Sequence, residues 1–305
     1  SKRSHFGRIR DMMITIFTPT YNRANTLPRL YESLCNQANK NFKWLVVDDG
    51  SSDNTRSLIE SWVEEKKIDI TYIYQENAGK SVAHNVGVEN TDTELFTCVD
   101  SDDYLTKDAV EKILGSWLEI KGMDNRIGGL ILFRMLNDGQ PITIYKDKSR
   151  NRGTLKSFYD DRILVGDTML VFEREKMKWF SFPKIDGENF VPEAYLFDAF
   201  NYYYDFYLVP EYVYVGEYLE DGYTKNMARL IANNPKGYRR YIIQRLQYDK
   251  KMRHKLADTI RYIAISFCCS ERKVIKEAPY KCNAFLMYIP GFIFYLKRYK
   301  KFLNE

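Results

Sequence analysis

The sequence predicts an α/β protein with a mostly parallel central sheet flanked by helices and a helical C-terminal extension. Over the first 120 residues, β-rich apolar runs alternate with amphipathic helical patterns, which is typical of right-handed βαβ units. Polar residues cluster where the predicted strands end. From residue 236 onward the pattern is mainly helical, aromatic and basic.

The first half of the chain alternates strictly between the two kinds of element. Four strands are predicted from short runs that end at polar turns, at Met13–Thr18, Phe42–Val47, Ile70–Tyr74 and Leu95–Val99. Four helices are predicted from apolar stripes, beginning at Asn25 or Thr26, beginning at Thr55, and covering Lys80–Glu89 and Lys107–Ile120. The pattern then weakens, and we expect strands at Gly129–Met135, Asp167–Phe172 and Val213–Tyr218 and a helix at Pro192–Tyr203.

Composition excludes several classes of protein. The 305 residues are 45% hydrophobic and 29% charged, which rules out disordered, collagen-like and disulfide-scaffold chains. Five cysteines without CxxC spacing argue against a zinc ribbon and predict reduced thiols in the cytoplasm. The longest nearly apolar run, Phe285–Leu296, is shorter than the roughly 20 residues of a membrane-spanning helix, so we expect none. Residues 1–11 lack the apolar stretch of a signal peptide.

Charge is distributed unevenly along the chain. Residues 239–305 hold 16 Lys/Arg against 5 Asp/Glu, a net charge of +11, whereas residues 1–238 carry −6. Phe and Tyr are interleaved with these basic residues at helical spacing. This combination predicts contact with a membrane surface rather than with nucleic acid. The alternative is that the aromatic residues pack internally while Lys and Arg face water.

Three polar clusters follow predicted strands, at Pro19–Arg23, Asp48–Ser51 and Asp100–Asp103. Ligands of parallel sheets bind beyond the carboxyl ends of the strands, so these clusters predict a site. The three carboxylates of Asp100–Asp103 repel one another unless a cation or hydrogen bonds compensate. A hard divalent ion held there would in turn bind a diphosphate. The alternatives are a solvated acidic turn for this cluster and a helix-capping turn for Asp48–Ser51.

Other ligand motifs are absent or incomplete. Asn77–Ser81 resembles part of a phosphate-binding loop, but Tyr74 stands where a Walker A motif has its first glycine. The chain has neither GxGxxG nor GxSxG. The histidines lack metal-ligand spacing, and we expect His84 to be a packing residue.

Four motifs occur in a fixed order: Pro19–Arg23, Val47–Ser51, Asn77–Gly87 with Gly79, Lys80, Ala83 and Asn85, and Asp100–Asp103. Together they strongly resemble the family 2 glycosyltransferases of the GT-A, Rossmann-like fold, of the bacterial surface-polysaccharide kind. The resemblance is tight over residues 12–120 and looser through residues 166–172, 191–200 and 221–225.

The resemblance implies a role for each matching position. The nucleotide-binding residues would be Pro19, Tyr21, Arg23, Asp49, Lys80, Asp100 and Ser101. Among them, the Asp49 carboxylate would accept a hydrogen bond from the uracil imide, while Asp48 orients the turn. A divalent cation, Mg²⁺ or Mn²⁺, would be held by Asp102 and Asp100, with Asp103 as a helper.

Enzymes of this kind invert the anomeric centre and need a general base. The resemblance places it at the start of a helix that follows the acidic cluster, where Glu193 matches best. The other candidates are Asp186, Glu188 and Asp198. The chain lacks the QxxRW motif of processive synthases, so we expect one sugar to be added per event.

The sequence thus predicts a metal-dependent inverting glycosyltransferase that uses a nucleotide-sugar, of UDP type, and a saccharide or lipid-linked saccharide acceptor. We expect it in the cytoplasm, peripheral on the inner membrane face. The predicted division is residues 1–11 as a cloning remnant or disordered start, 12–120 for the nucleotide, 121–235 for the acceptor and 236–305 as the basic helical region. The alternatives are a nucleotidylyltransferase, which would normally have a Gly-rich loop after the first strand, and a non-catalytic binding module at a membrane surface.

Overall fold

The computed structural model describes residues 12–216, 223–271 and 273–303. Residues 1–11, the predicted strand end at Tyr218 and the motif positions Asp221 and Gly222 lie outside them. By their contacts, the described residues form two compact units. One comprises residues 12–181 with 203–216, and the other comprises residues 182–202 with 223–271 and 273–303.

The first unit is built on a nine-stranded mixed sheet. In chain order, the strands of this sheet and of a separate two-stranded sheet are β1 Ile14–Thr20, β2 Phe42–Asp48, β3 Ile70–Tyr74, β4 Leu95–Cys98, β5 Tyr104–Leu105, β6 Ile127–Met135, β7 Ile144–Tyr145, β8 Arg152–Gly153, β9 Leu164–Val165, β10 Thr168–Glu173 and β11 Asp205–Val215. Strands β7 and β9 form the separate pair. The order in the large sheet is β3-β2-β1-β4-β10-β6-β11-β5, with β8 also pairing with β11. Strands β3, β2, β1 and β4 run parallel, whereas β10 is antiparallel to both of its neighbours.

Helices connect these strands and build most of the second unit. They are α1 Leu27–Cys35, α2 Thr55–Glu65, α3 Lys80–Glu89, α4 Ala109–Ile120, α5 Leu155–Asp160, α6 Arg174–Met177, α7 Ala194–Tyr203, α8 Tyr223–Asn233, α9 Pro235–Tyr248, α10 Met252–Cys268, α11 Lys281–Leu286 and α12 Tyr288–Arg298, followed by a 3₁₀ turn at Lys300–Phe302. No helix among the described residues is long and apolar enough to cross a bilayer.

The two faces of β1 bury different helices, because successive side chains of a strand point to opposite faces. Ile14 and Ile16 belong to a core cluster that includes residues of α1, α2 and α4. Phe17 points the other way, towards α3, and its ring leaves no room for a side chain at Gly87, where a Cβ would lie 2.6 Å from it. His84 is buried on the same face, with its ring edge-on to Phe17 and Phe96.

The structure confirms the predicted fold class and corrects element boundaries. Strand β11 is eleven residues long, and the sequence predicts only its C-terminal end, since Pro210 in its middle is typical of a strand break. The chain tolerates Pro210 because the β6–β11 register shifts between Leu208 and Tyr212, which is a local irregularity in the ladder. Helix α7 begins at Ala194 rather than at Pro192.

In the second unit, the sequence predicts that Pro290 and Gly291 divide the segment Phe285–Leu296 into two short amphipathic pieces. This position of the break is wrong, because α12 is continuous through both residues. The break falls at Met287, which ends α11 and precedes α12. Pro290 is accommodated because it lies in the first turn of α12, where a proline lacks no intrahelical hydrogen bond.

Candidate functional site

Sheet register brings the predicted clusters to one edge of the first unit. The β1–β2 ladder pairs Thr20 with Asp48, and the β1–β4 ladder pairs Phe17 with Cys98. The loops that follow these strands therefore begin side by side. The polar residues that the sequence places at three strand ends form one surface.

The loop after β1 is held by Asn22. Its backbone N–H donates to Ser51 Oγ at 2.8 Å, and its Oδ1 accepts from the Ser52 backbone N–H at 2.8 Å. Asn22 has φ of 52°, a left-handed conformation that asparagine adopts more readily than most residues. The neighbouring Tyr21 is 49% exposed, so its ring is open to a ligand. The nucleotide roles predicted for Pro19, Tyr21 and Arg23 stay predictions.

Asp49 is buried and hydrogen-bonded on both carboxylate oxygens. Oδ1 accepts from Gln75 Nε2 at 2.6 Å and from the Ala78 N–H at 2.8 Å, and Oδ2 accepts from the Gly79 N–H at 2.8 Å. These bonds fasten the loop that precedes α3 to the end of β2. The predicted contact of Asp49 with the base stays a prediction, to which the structure adds a loop-holding role.

Asp48 has the turn-orienting contacts that the sequence predicts. It is fully buried, and its carboxylate accepts from the Ser51 N–H and from the Tyr72 hydroxyl, each at 2.8 Å. Burial, together with this charged acceptor, raises the pKa of Tyr72 well above its usual range.

Lys80, the first residue of α3, reaches the acidic cluster. Its Nζ lies 2.6 Å from Asp100 Oδ1. Burial alone would raise the pKa of Asp100, but the Lys80 ammonium, with Arg134 and Arg23, outweighs it and lowers the pKa. Asp100 is therefore ionised and already paired with a cation, and its predicted metal role would need a change of partner.

Asp102 is differently placed from its neighbours in the cluster. Its side chain is 26% exposed, and the Arg23 guanidinium lies 4.0 Å from its carboxylate, too far for a hydrogen bond. The backbone carbonyl of Asp102 accepts from Arg29 in α1, which secures the turn without using the carboxylate. Ser101, beside it, is buried.

Asp103 belongs to a buried network that the sequence analysis missed. Its Oδ2 accepts from Arg134 at 2.8 Å and from the Tyr214 hydroxyl at 2.7 Å, and the Tyr214 oxygen accepts from the Asp100 N–H at 3.1 Å. The Arg134 guanidinium lies 4.1 Å from the centre of the Tyr214 ring. Burial raises the pKa of Asp103 to about 6, although Arg134 and Tyr214 oppose the shift.

One signal for this network is present in the sequence. Arg134 follows four apolar residues within a buried strand, and an arginine so placed requires a buried partner. Tyr214 carries no comparable signal, since tyrosine is common in strands.

A divalent cation fits this surface through few protein ligands. The described residues contain no group of three or more His, Cys, Asp or Glu side chains that could hold a metal. Mg²⁺, however, is often held by one or two carboxylates, substrate phosphates and water. Asp102, a partly exposed carboxylate two residues after the Asp100 that pairs with Lys80, provides that kind of oxygen ligand.

The predicted base and its alternatives lie in the second unit and differ in their contacts. Glu193 is exposed, and its backbone carbonyl accepts the first helical hydrogen bonds of α7, from Leu196 and Phe197. Glu188 accepts the Lys236 and Gly237 backbone N–H groups at 2.9 and 2.8 Å. Glu188 is thus a cap of helix α9.

The remaining two candidates lie before and within α7. Asp186 is exposed in a turn before α7, and Asp198 is half-buried within α7. Burial raises the pKa of Tyr241 to about 12, and the Asp198 carboxylate adds to this shift. The role of Glu193 stays a prediction.

Comparison with known proteins is consistent with this site. Residues 15–127 match the family model described as Glycosyl transferase family 2. The glycosyltransferase GlyA of Streptococcus pneumoniae is 28% identical over 231 residues, which cover 73% of this chain and 29% of the relative. The putative teichuronic acid biosynthesis glycosyltransferase TuaG of Bacillus subtilis is 26% identical over 179 residues, covering 57% of this chain and 67% of the relative.

Solved structures show the same fold. S. aureus TarS 1-349 in complex with UDP-GlcNAc has a TM-score of 0.61 at 16% identity, covering 96% of this chain and 83% of that chain. The mannosyltransferase PcManGT from Pyrobaculum calidifontis, in complex with GDP-Man and Mn²⁺, has a TM-score of 0.55 at 16% identity, covering 99% and 92%. The chain carries a GT-A fold, and its residues 15–127 match glycosyltransferase family 2, as the strand-end motifs predict.

Proposed function

We propose that this chain transfers one sugar from a nucleotide-sugar, of UDP type, to a hydroxyl group of a saccharide or lipid-linked saccharide, with inversion and with help from a divalent cation. The observation that carries the proposal is the convergence of three strand-end loops. Together with the start of α3, they present an exposed ring at Tyr21, a cation at Lys80 and an accessible carboxylate at Asp102 on one surface.

Both this chemistry and the relatives support a nucleotide-sugar donor. A nucleoside diphosphate offers a base that can stack on Tyr21 and phosphates that attract Lys80. The TarS and PcManGT structures contain UDP-GlcNAc and GDP-Man respectively, which supports a nucleotide-sugar donor here. We infer that diphosphate binding competes with Asp100 for the Lys80 ammonium.

The cation would be held by Asp102, and by Asp100 once Lys80 turns to the phosphates. When bound, Mg²⁺ or Mn²⁺ supplies neutralisation of the charge that develops on the departing diphosphate. The Mn²⁺ in the PcManGT structure supports such a cofactor. Arg29 and the Arg134–Tyr214–Asp103 network hold the turn on which Asp102 lies.

The transfer step forms a bond from the acceptor oxygen to the anomeric carbon and breaks the bond from that carbon to the diphosphate oxygen. The acceptor proton passes to the Glu193 carboxylate, and the nucleoside diphosphate leaves with the bonding electrons. Attack from the face opposite the leaving group inverts the anomeric centre.

The proposed setting is the synthesis of a bacterial surface polysaccharide at the cytoplasmic face of the inner membrane. The name of TuaG, which refers to teichuronic acid biosynthesis, supports this class of product. The chain spans 29% of the length of GlyA. The acceptor is therefore proposed for this chain and is not transferred from that relative.

A screen of nucleotide-sugars tests the proposal. UDP-sugars and GDP-mannose are incubated with the protein and Mg²⁺, Mn²⁺ or a chelator, and release of nucleoside diphosphate is measured. We expect metal-dependent release from UDP-sugars. Binding of donors without any release, even with acceptor saccharides added, would favour the binding module. Formation of a nucleotide-sugar and pyrophosphate from a sugar phosphate and UTP would favour a nucleotidylyltransferase.

A further inference from the structure

An apolar surface is exposed on the last two helices. Six large side chains of α11 and α12 have exposed fractions of 72%, 66%, 70%, 39%, 45% and 39%, in the order Phe285, Leu286, Ile289, Phe292, Ile293 and Leu296. We refer to these six residues as the C-terminal apolar face. Single exposed apolar residues are ordinary on soluble proteins, but a contiguous group of this kind marks an interaction site.

The exposure follows from how α12 is held in the second unit. One side of the helix packs on α10, where Gly291 lies so close to Ile263 that a Cβ would be 2.6 Å from its side chain. Tyr295 packs on Phe267 of α10, with ring centroids 5.4 Å apart. This packing fixes the rotation of α12 about its axis.

Helical spacing then places the apolar residues together on the outer side. Ile289, Ile293 and Leu296 are four and three residues apart, which aligns their side chains on one face. Phe292 lies on the turn between them. The outward side of α12 is therefore apolar over its length. Packing against α10 does not account for these outward residues, because it uses the opposite side of the helix.

Basic residues border this face at its C-terminal end. Residues 281–303 contain five Lys/Arg and no Asp/Glu. A cavity of about 420 Å³ opens there, lined by Ala228, Phe294, Lys297, Arg298 and Lys301. The Arg298 guanidinium lies 5.8 Å from the Phe294 ring centre, so aromatic and cationic groups line the cavity together.

We propose that the C-terminal apolar face docks on an anionic lipid bilayer, with lipid phosphates in contact with Lys297, Arg298 and Lys301. Apolar side chains beside clustered cations match the acyl boundary and the charged headgroups of such a surface. The inference deepens the proposed function by naming the surface that would bring the chain to a lipid-linked acceptor. Its test is independent of glycosyl transfer.

Charge favours the bilayer over a second copy of this chain. A dimer through this face would pair two segments that each carry five Lys/Arg and no Asp/Glu, and surfaces of the same sign oppose association. An anionic leaflet has the complementary sign. Each basic side chain near such a leaflet strengthens binding by about fivefold, and salt weakens the attraction.

Vesicle sedimentation of the full chain tests the proposal. Vesicles of phosphatidylglycerol and phosphatidylcholine are compared with vesicles of phosphatidylcholine alone, at low and high salt. Two double variants are used, Ile289→Ser with Ile293→Ser, and Lys297→Gln with Lys301→Gln. Matched controls in the first unit are Met123→Ser with Trp179→Ser for exposed apolar area, and Lys146→Gln with Lys148→Gln for charge.

We expect salt-sensitive binding to the anionic vesicles that falls roughly 10-fold in the Ile variant and roughly 20-fold in the Lys variant, and by less than about 2-fold in both controls. Circular dichroism should show the same helix content throughout, and donor hydrolysis should be retained. Equal binding to both vesicle types, or equal losses in the controls, would overturn the proposal. So would displacement by soluble glycerol phosphate, or a dimer that the Ile variant dissociates without any vesicle binding.

Discussion

The Tyr214 hydroxyl donates to the Asp103 carboxylate at 2.7 Å and also accepts the Asp100 backbone N–H at 3.1 Å. One phenol thus joins the last strand of the first unit to both ends of the acidic turn. Burial, with the two nearby carboxylates, raises the pKa of Tyr214 well above its ordinary value, so the hydroxyl keeps its proton.

Tyr214→Phe should destabilise the protein by about 1–3 kcal/mol, because a buried charged acceptor loses a donor while the ring remains over Arg134. Urea denaturation gives the free energy of unfolding. The matched control is Tyr212→Phe, whose hydroxyl donates to the Thr143 carbonyl at 2.9 Å from the same strand. Because the Thr143 carbonyl is a neutral acceptor, Tyr212→Phe should lower the free energy of unfolding by less than Tyr214→Phe does. Equal losses in the two variants would contradict the role of the Asp103 charge.

The acidic turn shows what could be predicted locally and what could not. The strand-end clusters are visible in the sequence because each lies within a few residues of a β-rich run. The partners of Asp103 are separated from it by 31 and 111 residues, and sheet topology alone brings them together. The isolated Arg134 indicates that a buried partner exists, but it does not identify Asp103.

Some boundaries of helices and strands follow from the local sequence, whereas others are set by tertiary packing. Residues Ile70–Tyr74 form β3 as predicted, since apolar and polar pattern and turn residues agree there. The first part of β11 is missed because tertiary pairing with β6 overrides the local effect of Pro210. The break at Met287 is missed because packing of Gly291 on Ile263, which keeps α12 helical at that point, is not encoded nearby in the sequence.

Asp102→Asn should abolish the effect of divalent cations on nucleotide binding. The substitution removes the accessible carboxylate and leaves the Arg29 contact to the Asp102 carbonyl in place, so the fold should be retained. Calorimetry of UDP with and without Mg²⁺ or Mn²⁺ measures the effect, and Asp138→Asn, in an exposed turn, is the control. If the wild-type protein binds UDP equally with and without the ion, the metal role is wrong.

Asp49→Asn should lower the free energy of unfolding by about 1–3 kcal/mol. An amide has one acceptor oxygen, so at least one of the donors from Gln75, Ala78 and Gly79, of which the Gly79 N–H is buried, loses its partner. Hydrogen exchange of the Ala78 and Gly79 amides reports the loosened loop directly. Unchanged protection of both amides would show that the carboxylate does not hold the loop.

Glu193→Gln should lower transfer by roughly 10²–10⁴-fold with donor affinity nearly unchanged, since the carboxylate would act on the acceptor proton. Steady-state turnover and donor calorimetry separate the two effects. Asp186→Asn and Asp198→Asn are the comparison variants. A normal rate in Glu193→Gln, with a large loss in either comparison variant, would reassign the base.

Glu188 offers a contrast within the same region. Glu188→Gln leaves a single acceptor oxygen for the Lys236 and Gly237 N–H groups and removes a negative charge from the start of α9. We expect a loss of about 1–2 kcal/mol in stability and a normal rate per folded molecule. A rate defect as large as that of Glu193→Gln, without a change in stability, would contradict the capping role.

His84 should make stability depend on pH in a defined window. Burial, with a smaller effect of Lys80, lowers the pKa of His84 to about 3, whereas an unfolded histidine titrates near 6.5. Between these pH values the unfolded chain takes up a proton that the folded chain does not. The contribution of His84 to the free energy of unfolding is therefore fully present above pH 6.5 and decreases as the pH falls below it. The loss is at most about 1.4 kcal/mol per pH unit.

In His84→Gln this dependence is absent, and the stability advantage of the wild-type protein should therefore shrink by up to about 2 kcal/mol between pH 7 and pH 5. Urea denaturation of both proteins at each pH measures the difference, in which the contributions of other titrating groups cancel. A difference that stays constant over this range would show that the buried imidazole is readily protonated in the folded state.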